Sequence, residues 1–442
     1  MLSGRFAALI SLALALALVP ACTAAEPVGP AVPDITSVIV DRWYPQHPTP
    51  VVDLLFVVDT SASMASAQAS LAANMPAVAD ALAPPPRGLL SLHVGVVSAD
   101  LGTGGVALGT CTHDGDDARL LTGTCAGLTA PFLEDVPLRD GQRARNYSGA
   151  LADRLACATQ LGTSGCAIAQ PLEAMRRALD PARNPGFRRA GARLMVVLVS
   201  NQDDCSVRAP DIFAAPGTDA QKRFRCTTQG LTCAEEIATV GEKHDCVPDE
   251  ASPYVHGVDE YADFLAGSGD AGAALVGVIS GPASPVTVVG TLDEPALVPA
   301  CSGAIGTAAP AVRLRALADR VAYPAASDVC GSDLSVALAP IAYLNKTTLE
   351  ATCIGAPIVD TDAVAPGVQP ECAVTEFVHR DTPEETATLL PACDATESVV
   401  PCWKVAPYSA CFADGLLFSV ERHGGLVEPD TVVHVQCVGA SV

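Results

Sequence analysis

Short apolar runs alternate with segments of helical periodicity through most of this 442-residue chain. Such runs lie at 51–58, 89–97, 194–199 and 273–279, and runs of this length are typical of strands buried on both faces. Segments with helical spacing lie at 66–82, 147–158, 171–179, 258–265, 311–321 and 334–344. Strands that alternate with helices predict a mostly parallel sheet with helices on both faces. We therefore predict a doubly wound α/β domain over residues 51–345.

The segments on either side of this domain have a different composition. Residues 22–50 contain six prolines, which break helices and strand ladders and so predict an extended linker. Its apolar piece at 37–40 is alternatively an edge strand of the first domain. Residues 346–442 are rich in Val, Pro, Cys and turn residues, which predicts a small disulfide-rich β domain. Within the α/β domain, 101–146 and 205–246 are too irregular for plain connections and predict disulfide-pinned insertions.

The amino-terminal residues have the composition of an export signal. Arg5 precedes an apolar run over 7–19, which is too short to cross a bilayer as a helix. The small residue before Cys22 makes this segment resemble the lipobox of bacterial lipoproteins. The resemblance implies a signal peptide over 1–21, a lipid on Cys22 and, because Thr23 follows, an outer-membrane location. The alternative is ordinary cleavage a few residues later, which would release a soluble secreted protein.

The cysteine count agrees with export. The chain has 17 cysteines, and setting Cys22 aside leaves 16, an even number that suits disulfides. Disulfides persist in exported compartments, and no CxxC spacing indicates zinc instead. The pairing cannot be deduced from the sequence; neighbours along the chain suggest the local pairs Cys111–Cys125, Cys157–Cys166 and Cys393–Cys402.

The net charge of −23 limits the possible partners. A strongly acidic chain disfavours nucleic acid and anionic membrane surfaces, so membrane attachment would be through the amino-terminal lipid only. Where carboxylates cluster, the same charge favours divalent cations. One candidate cluster is the acidic run at 113–117, although a solvated loop explains that run equally simply.

Oxygen-bearing side chains follow directly after the first apolar run. Asp59, Ser61 and Ser63 stand at alternate positions between this predicted strand and the helix after it. In open α/β sheets ligands bind at the carboxyl ends of the strands, and a carboxylate with two hydroxyls suits Mg²⁺, Mn²⁺ or Ca²⁺. The alternative is that these residues only cap the following helix.

This Asp-x-Ser-x-Ser motif resembles the signature of von Willebrand factor A domains, a Rossmann-like fold. The resemblance implies a metal-ion-dependent adhesion site that binds an acidic side chain of a protein partner. Residues 163–174 resemble the family's second loop, in which Thr163 or Ser164 would supply a hydroxyl. Residues 194–206 resemble its third loop. The cysteine placements are similar to those of a lipoprotein subgroup common in myxobacteria.

Two positions depart from the family pattern. The usual second-loop threonine aligns with Ala169, which has no side-chain oxygen, and the usual third-loop aspartate aligns with Asn201. An amide oxygen can bind a cation but brings no charge, so Asp203 and Asp204 are candidates to complete the site. The alternative is a degenerate site in a domain that binds its partner without metal.

Together these features predict a lipid-anchored protein-binding or adhesion module of the cell envelope rather than an enzyme. The histidines form no HExxH pair, and the serines lack the GxSxG context of a nucleophile elbow. The alternatives are a metal-independent envelope scaffold and a metal-assisted hydrolase.

Overall fold

The computed structural model of the protein describes most of the chain between residues 38 and 440. The described residues are 38–46, 51–83, 89–138, 142–267, 274–321, 324–331, 334, 353–362, 364–365, 367–407, 411, 415–422, 427–428 and 431–440. The predicted signal peptide and Cys22 lie outside these residues, as does the predicted helix at 334–344 apart from Leu334. None of the helices in the described ranges is long and apolar enough to span a membrane.

The described elements are numbered in chain order. The strands are β1 (Val38–Pro45), β2 (Val51–Val58), β3 (Ser91–Ser98), β4 (Leu133–Pro137), β5 (Arg143–Arg145), β6 (Arg193–Val199), β7 (Leu231–Thr232), β8 (Gly241–Lys243), β9 (Val247–Pro248), β10 (Leu275–Ser280), β11 (Val286–Gly290), β12 (Pro295–Leu297), β13 (Cys301–Ser302), β14 (Thr307–Ala308), β15 (Pro324–Asp328), β16 (Cys372–Val378), β17 (Thr386–Leu389), β18 (Cys402–Pro407), β19 (Leu416–Glu421) and β20 (Val432–Gly439). The helices are α1 (Ala65–Ala81), α2 (Leu151–Ala158), α3 (Pro171–Ala178), α4 (Asp211–Ala214), α5 (Asp219–Gly230), α6 (Val258–Gly267) and α7 (Val312–Arg320), with a 3₁₀ turn at Ala62–Met64.

The largest sheet has seven strands in the order β15-β10-β6-β2-β3-β4-β5. The first five pair in parallel, and β4 and β5 add antiparallel strands at one edge. The prediction of an α/β fold is thus confirmed as a mixed α/β architecture around a mixed sheet. The resemblance to the von Willebrand factor A fold stays a prediction.

Helices pack on both faces of this sheet because its central strands are apolar on both sides. Phe56 of β2 contributes to a core with Leu71 of α1. The next side chain back along the strand, Leu55, points to the opposite face and contributes to a second core with Leu172 of α3 and Leu317 of α7. Since successive side chains of a strand alternate between faces, an uninterrupted apolar run is what a sheet in this position requires.

The predicted elements of this part of the chain are confirmed, with differences mainly at their ends. The first strand has the predicted bounds, and α1 runs without a break through Pro76. Helix α2 begins at Leu151 rather than at 147, and the Tyr147 hydroxyl instead donates a hydrogen bond to Asp135 of β4. That contact between distant segments is not visible in local periodicity.

Eight disulfides join the 16 cysteines other than Cys22. They are Cys111–Cys166, Cys125–Cys157, Cys205–Cys226, Cys233–Cys246, Cys301–Cys330, Cys353–Cys411, Cys372–Cys437 and Cys393–Cys402. The local pair Cys393–Cys402 is confirmed. The other two suggested pairs are wrong, because residues near 111 fold against the loop at 166 while residues near 125 fold against α2. This number of disulfides indicates an exported protein.

The carboxy-terminal part forms a second, β-rich unit with its own core. Its four-stranded sheet has the order β1-β20-β16-β17, and the hairpin of β18 and β19 packs against it. Tyr44 of β1 stacks on Phe418 of β19 at a ring-centroid distance of 5.0 Å. The β-rich prediction for 346–442 agrees with these strands.

The amino-terminal strand of this unit comes from the predicted linker. Strand β1 pairs antiparallel with β20 along its whole length. Its inward side chains Val40 and Tyr44 are buried, whereas Ile39 and Trp43 are exposed. For residues 38–45 the linker prediction is therefore wrong, and so is the alternative of an edge strand in the first domain. Residues 38–44 do not alternate regularly between apolar and polar side chains, and the partner strand lies about 390 residues away in the sequence, so the strand could not be assigned to this sheet from local pattern.

A buried ion cluster fixes the amino end of β2. Asp53, fully buried, accepts hydrogen bonds from Arg188 Nη1 at 2.9 Å and from Arg189 Nε at 2.8 Å. Arg189 also donates to the Val52 carbonyl and to Ser91 of β3. The two guanidinium groups compensate a carboxylate that would otherwise be costly to bury.

We predict that Arg189→Met lowers the free energy of unfolding by about 3 kcal/mol. The substitution leaves Asp53 with one cation, and several hydrogen-bond acceptors lose their donor. Arg320→Met is the matched control. Arg320 pairs with Glu250 at the partly exposed surface, where ion pairs contribute about 0–1 kcal/mol. Urea titration of the disulfide-intact protein measures both. Equal losses in the two variants would contradict a special role for the Asp53 cluster.

Candidate cation-binding site

The motif residues lie where β2 and β6 end side by side. The Asp59 N–H donates to the Val199 carbonyl at 2.8 Å, which extends the parallel pairing one residue beyond the strands. Asp59 Oδ1 accepts the Ser61 N–H at 2.7 Å, and Oδ2 accepts the Ser200 hydroxyl at 2.8 Å. The Asp59 carboxylate is therefore buried and held in a single orientation.

Three further oxygens extend from this carboxylate toward solvent. Ser61 Oγ lies 3.4 Å from Ser63 Oγ, and Ser63 Oγ donates to Asn201 Oδ1 at 3.1 Å. Neighbouring oxygens in an octahedral Mg²⁺ shell, with metal–oxygen distances of about 2.1 Å, are separated by about 3 Å. The spacing of Ser61, Ser63 and Asn201 therefore fits the coordination shell of a hard divalent cation.

A second buried carboxylate, Asp100, lies at the end of the neighbouring strand β3. It accepts the N–H groups of Gly102 at 2.9 Å and Cys166 at 2.8 Å. Among the described residues, no Lys, Arg or His forms an ion pair with Asp59 or Asp100. Burial raises the pKa of Asp59 above its ordinary value, and the charge on Asp100 adds to this effect. Asp59 and Asp100 are therefore two buried carboxylates that form no ion pair with a Lys, Arg or His in the described part of the chain.

Sequence reasoning missed Asp100, although a signal for it was present. Asp100 stands three residues after the second apolar run, and Asp59 stands directly after the first. Since the carboxyl ends of parallel neighbours meet at one edge of a sheet, its position in the sequence already placed it near the motif.

Asp203 and Asp204, predicted as candidate ligands, are held away from this group by other partners. Asp203 accepts the N–H groups of Arg313 and Leu314 at the start of α7, and burial raises its pKa to about 6. Asp204 lies 3.1 Å from the guanidinium of the fully buried Arg313. It also accepts the Leu172 N–H at 3.1 Å. Their contacts are structural: they attach the loop after β6 to two helices.

The second loop lies against the motif without contributing a hydrogen-bonded hydroxyl to it. The Gly165 N–H donates to the Thr60 carbonyl at 2.9 Å, and the Gln68 side chain of α1 exchanges two hydrogen bonds with Gly162. Thr163 is half-buried and Ser164 is exposed. Ala169 uses its carbonyl to accept the N–H of Cys205 at 2.9 Å.

The acidic run at 113–117 does not converge on one point. Asp114 pairs with His113, Asp116 accepts the Ser98 hydroxyl at 2.6 Å, and Asp117 pairs with Arg183. Each carboxylate thus has its own partner. In the described ranges, no group of three or more His, Cys, Asp or Glu side chains could hold a metal ion. The candidate site at Asp59 differs from such a group, because most of its oxygens come from Ser and Asn side chains.

Comparison with known proteins gives limited information. No family model matches the sequence, and no curated protein matches it. Among solved structures, the chain is similar to the pilus adhesin SpaC from Lactobacillus rhamnosus GG, with a TM-score of 0.30 and 11% identity over 90% of this chain and 40% of that one. It is also similar to the pilus adhesin RrgA from Streptococcus pneumoniae, with a TM-score of 0.26 and 8% identity over 90% of this chain and 57% of that one. The chain therefore spans about half the length of these adhesins, and superpositions this loose carry no argument about its function.

The close contact between the two loops yields a prediction at Gly165. A Cβ atom there would stand 2.0 Å from Thr60 Oγ1 and 3.1 Å from the Thr60 carbonyl oxygen. We expect Gly165→Ala to push the loops apart and to lower the free energy of unfolding by about 1–3 kcal/mol.

Gly267→Ala is the matched control for Gly165→Ala, because nothing lies within 4 Å of a Cβ atom at Gly267. Adding Thr60→Ala to Gly165→Ala removes part of the clash and should restore part of the loss. Thermal melts of the four proteins measure these effects. If the two glycine variants had the same melting temperature, the described packing of the second loop on Thr60 would be wrong.

Proposed function

We propose that this protein is an exported binding module that holds a divalent cation through Asp59, Ser61, Ser63 and Asn201 and binds an acidic side chain of a protein partner. The observation that carries the proposal is the buried Asp59 carboxylate, which has no ion-pair partner among the described residues and whose pKa is raised by burial and by the charge of Asp100. Ser61 and Ser63 follow it in the chain, and their hydroxyls lie at coordination spacing with Asn201. A bound cation would balance the charge of Asp59, which is otherwise costly to bury.

The donor set favours a hard cation. Carboxylate, hydroxyl and amide oxygens suit Mg²⁺, Mn²⁺ or Ca²⁺ rather than a soft metal. Asp59 and Asp100 supply the charge, and Ser61, Ser63 and Asn201 supply neutral oxygens. Asp59, Ser61, Ser63 and Asn201 would hold the cation, which would supply a positive charge able to bind a carboxylate of the partner. With Asn201 in place of an aspartate, the site carries less charge than the family pattern implies, so its affinity for the cation is modest.

The architecture supports assigning residues 51–345 to the von Willebrand factor A fold. Five parallel strands with helices on both faces carry the site at their carboxyl ends, where open α/β sheets bind ligands. On this proposal the protein is not an enzyme. The number of disulfides supports export, and a lipid on Cys22 would attach the protein to the cell envelope, with the outer membrane as its location.

A metal-independent scaffold is the second candidate. It is favoured by Asp203 and Asp204, which are engaged with α7 and Arg313 and so leave the cation without a carboxylate from the loop after β6. The two candidates differ in whether the protein binds a cation at all.

We predict that calorimetric titration of Mn²⁺, Mg²⁺ and Ca²⁺ into the disulfide-intact protein detects one site that Asp59→Ala abolishes. Asp80→Ala, on the exposed face of α1, removes the same charge elsewhere and should leave binding unchanged. Matching thermal melts for both variants establish that the fold is retained. If the wild-type protein bound none of the three cations at millimolar concentration, the scaffold would be the better proposal.

We also predict that Asn201→Asp strengthens cation binding by about tenfold or more, because the number of charged ligands tunes the affinity of such sites. Asn74→Asp adds the same charge in the second half of α1, away from the candidate ligands, and should change the affinity for the cation little. The same titration measures both variants. An unchanged or weaker affinity in Asn201→Asp would exclude position 201 from the coordination shell.

A further inference from the structure

A cavity of about 410 Å³ opens beside the candidate cation site. Its walls come from α5, from the segment 294–297 that contains β12, and from the loop 202–205 after β6. This volume lies within the range of ligand-binding cavities and exceeds what one large side chain needs. Two of the three walls belong to excursions from the central sheet rather than to the sheet itself.

Asn201 connects the cavity to the cation site. Its side chain accepts the hydrogen bond from Ser63, and its carbonyl accepts the N–H of Ala309, a cavity-lining residue, at 3.0 Å. Gln202, the next residue, also lines the cavity. The lining of the cavity therefore begins one residue along the chain from a candidate ligand of the cation.

The interior of the cavity suits an uncharged side chain. Ile168, Phe224 and Leu231 line it and are buried. Three carboxylates line the cavity, and two of them, Asp203 and Asp204, already accept hydrogen bonds from the N–H groups of α7 and from Arg313. The remaining charged groups among the described lining residues, Arg223 and Glu294, are exposed to solvent. These two side chains have opposite charges and lie at the rim.

The walls are cross-linked, so the cavity is formed before any partner binds. The disulfide Cys205–Cys226 joins the loop after β6 to α5. At the other end of α5, Thr218 Oγ1 donates to the Asp293 carbonyl at 2.6 Å and Gln221 Nε2 donates to the Leu292 carbonyl at 2.8 Å. A preformed cavity binds without the entropic cost of ordering its walls.

We propose that this cavity receives a bulky apolar side chain, of the size of Leu, Met or Phe, from the protein partner whose carboxylate binds the cation. This inference rests on the proposed function and deepens it, because it names the recognised segment. That segment carries an Asp or Glu and, within a few residues, a large apolar side chain. The cation site would require an acidic side chain in the partner segment. The cavity would distinguish acidic segments that carry a large apolar side chain from those that do not.

The test is selection of a phage-displayed random peptide library on the disulfide-intact protein in Mn²⁺. We expect enriched peptides that share an acidic residue and a nearby Leu, Met or Phe, and that are released by EDTA. Ala296→Trp, at an exposed position of the cavity wall, should weaken binding of a selected peptide by at least about tenfold while Mn²⁺ affinity stays unchanged. Ala296→Ser and Ala214→Trp, which is exposed on α4, are the matched controls and should bind as the wild type does.

The outcomes separate the two proposals. Acidic peptides without an apolar preference, or peptides that bind Ala296→Trp as well as the wild type, would overturn the cavity assignment and leave the cation site standing. Peptides that bind equally with and without EDTA would overturn the cation-dependent function. A library that yields no binder would count against both. If Ala296→Trp fails to fold, replacing the Leu of a selected peptide by Ala gives the same comparison with the wild-type protein.

Discussion

Parallel pairing of β2 with both β3 and β6 is the constraint on which the site depends. Parallel neighbours all end at the same edge of a sheet, and here that edge receives Asp59 from β2, Asp100 from β3 and Ser200 from β6. The strands pair this way because they are apolar on both faces, and both faces must be covered by other elements. The chain segments that connect parallel strands cross the faces of the sheet as helices and provide this cover. The arrangement of polar groups at the edge is therefore a consequence of the apolar core beneath it.

The buried acids of the α/β domain fall into two groups. Asp53, Asp135, Glu173 and Asp204 are each paired with at least one arginine side chain. Asp59 and Asp100 are matched only by hydroxyl and N–H groups. Hydrogen bonds from neutral donors lower the cost of burying a carboxylate but leave its charge in place. Asp203 accepts backbone N–H groups at the start of α7, so an acid without an ion pair can also be structural. Asp59 differs from Asp203 because it is followed by Ser61 and Ser63, whose hydroxyls, together with Asn201, form a row of neighbouring oxygens.

Much of the fold was predictable because its signals are local. Apolar runs and helical spacing mark β2, β6, α1 and α3, and the motif residues follow a strand within the sequence itself. The roles of Asp203 and Asp204 were not predictable in the same way. Two consecutive aspartates after a strand are typical of a loop that supplies metal ligands. Only the folded chain shows that Asp203 caps the start of α7 and that Arg313 lies against Asp204. Strand β1 and most disulfides depend likewise on contacts between segments far apart in sequence.

The disulfides contribute to the stability of the domain, and they also determine which segments surround the site. Cys166 lies in the segment 163–174 and Cys205 in the loop after β6, and each is bonded to an excursion from the sheet, at Cys111 and Cys226 respectively. The loops at the strand ends are therefore fixed to the segments that rise around them. A site at the end of an open sheet is shallow, and a few oxygens there recognise little beyond a carboxylate. On the two proposals above, the disulfide between α5 and the loop after β6 adds a walled cavity to that shallow site, and selectivity between acidic partners would reside in the insertion rather than in the sheet.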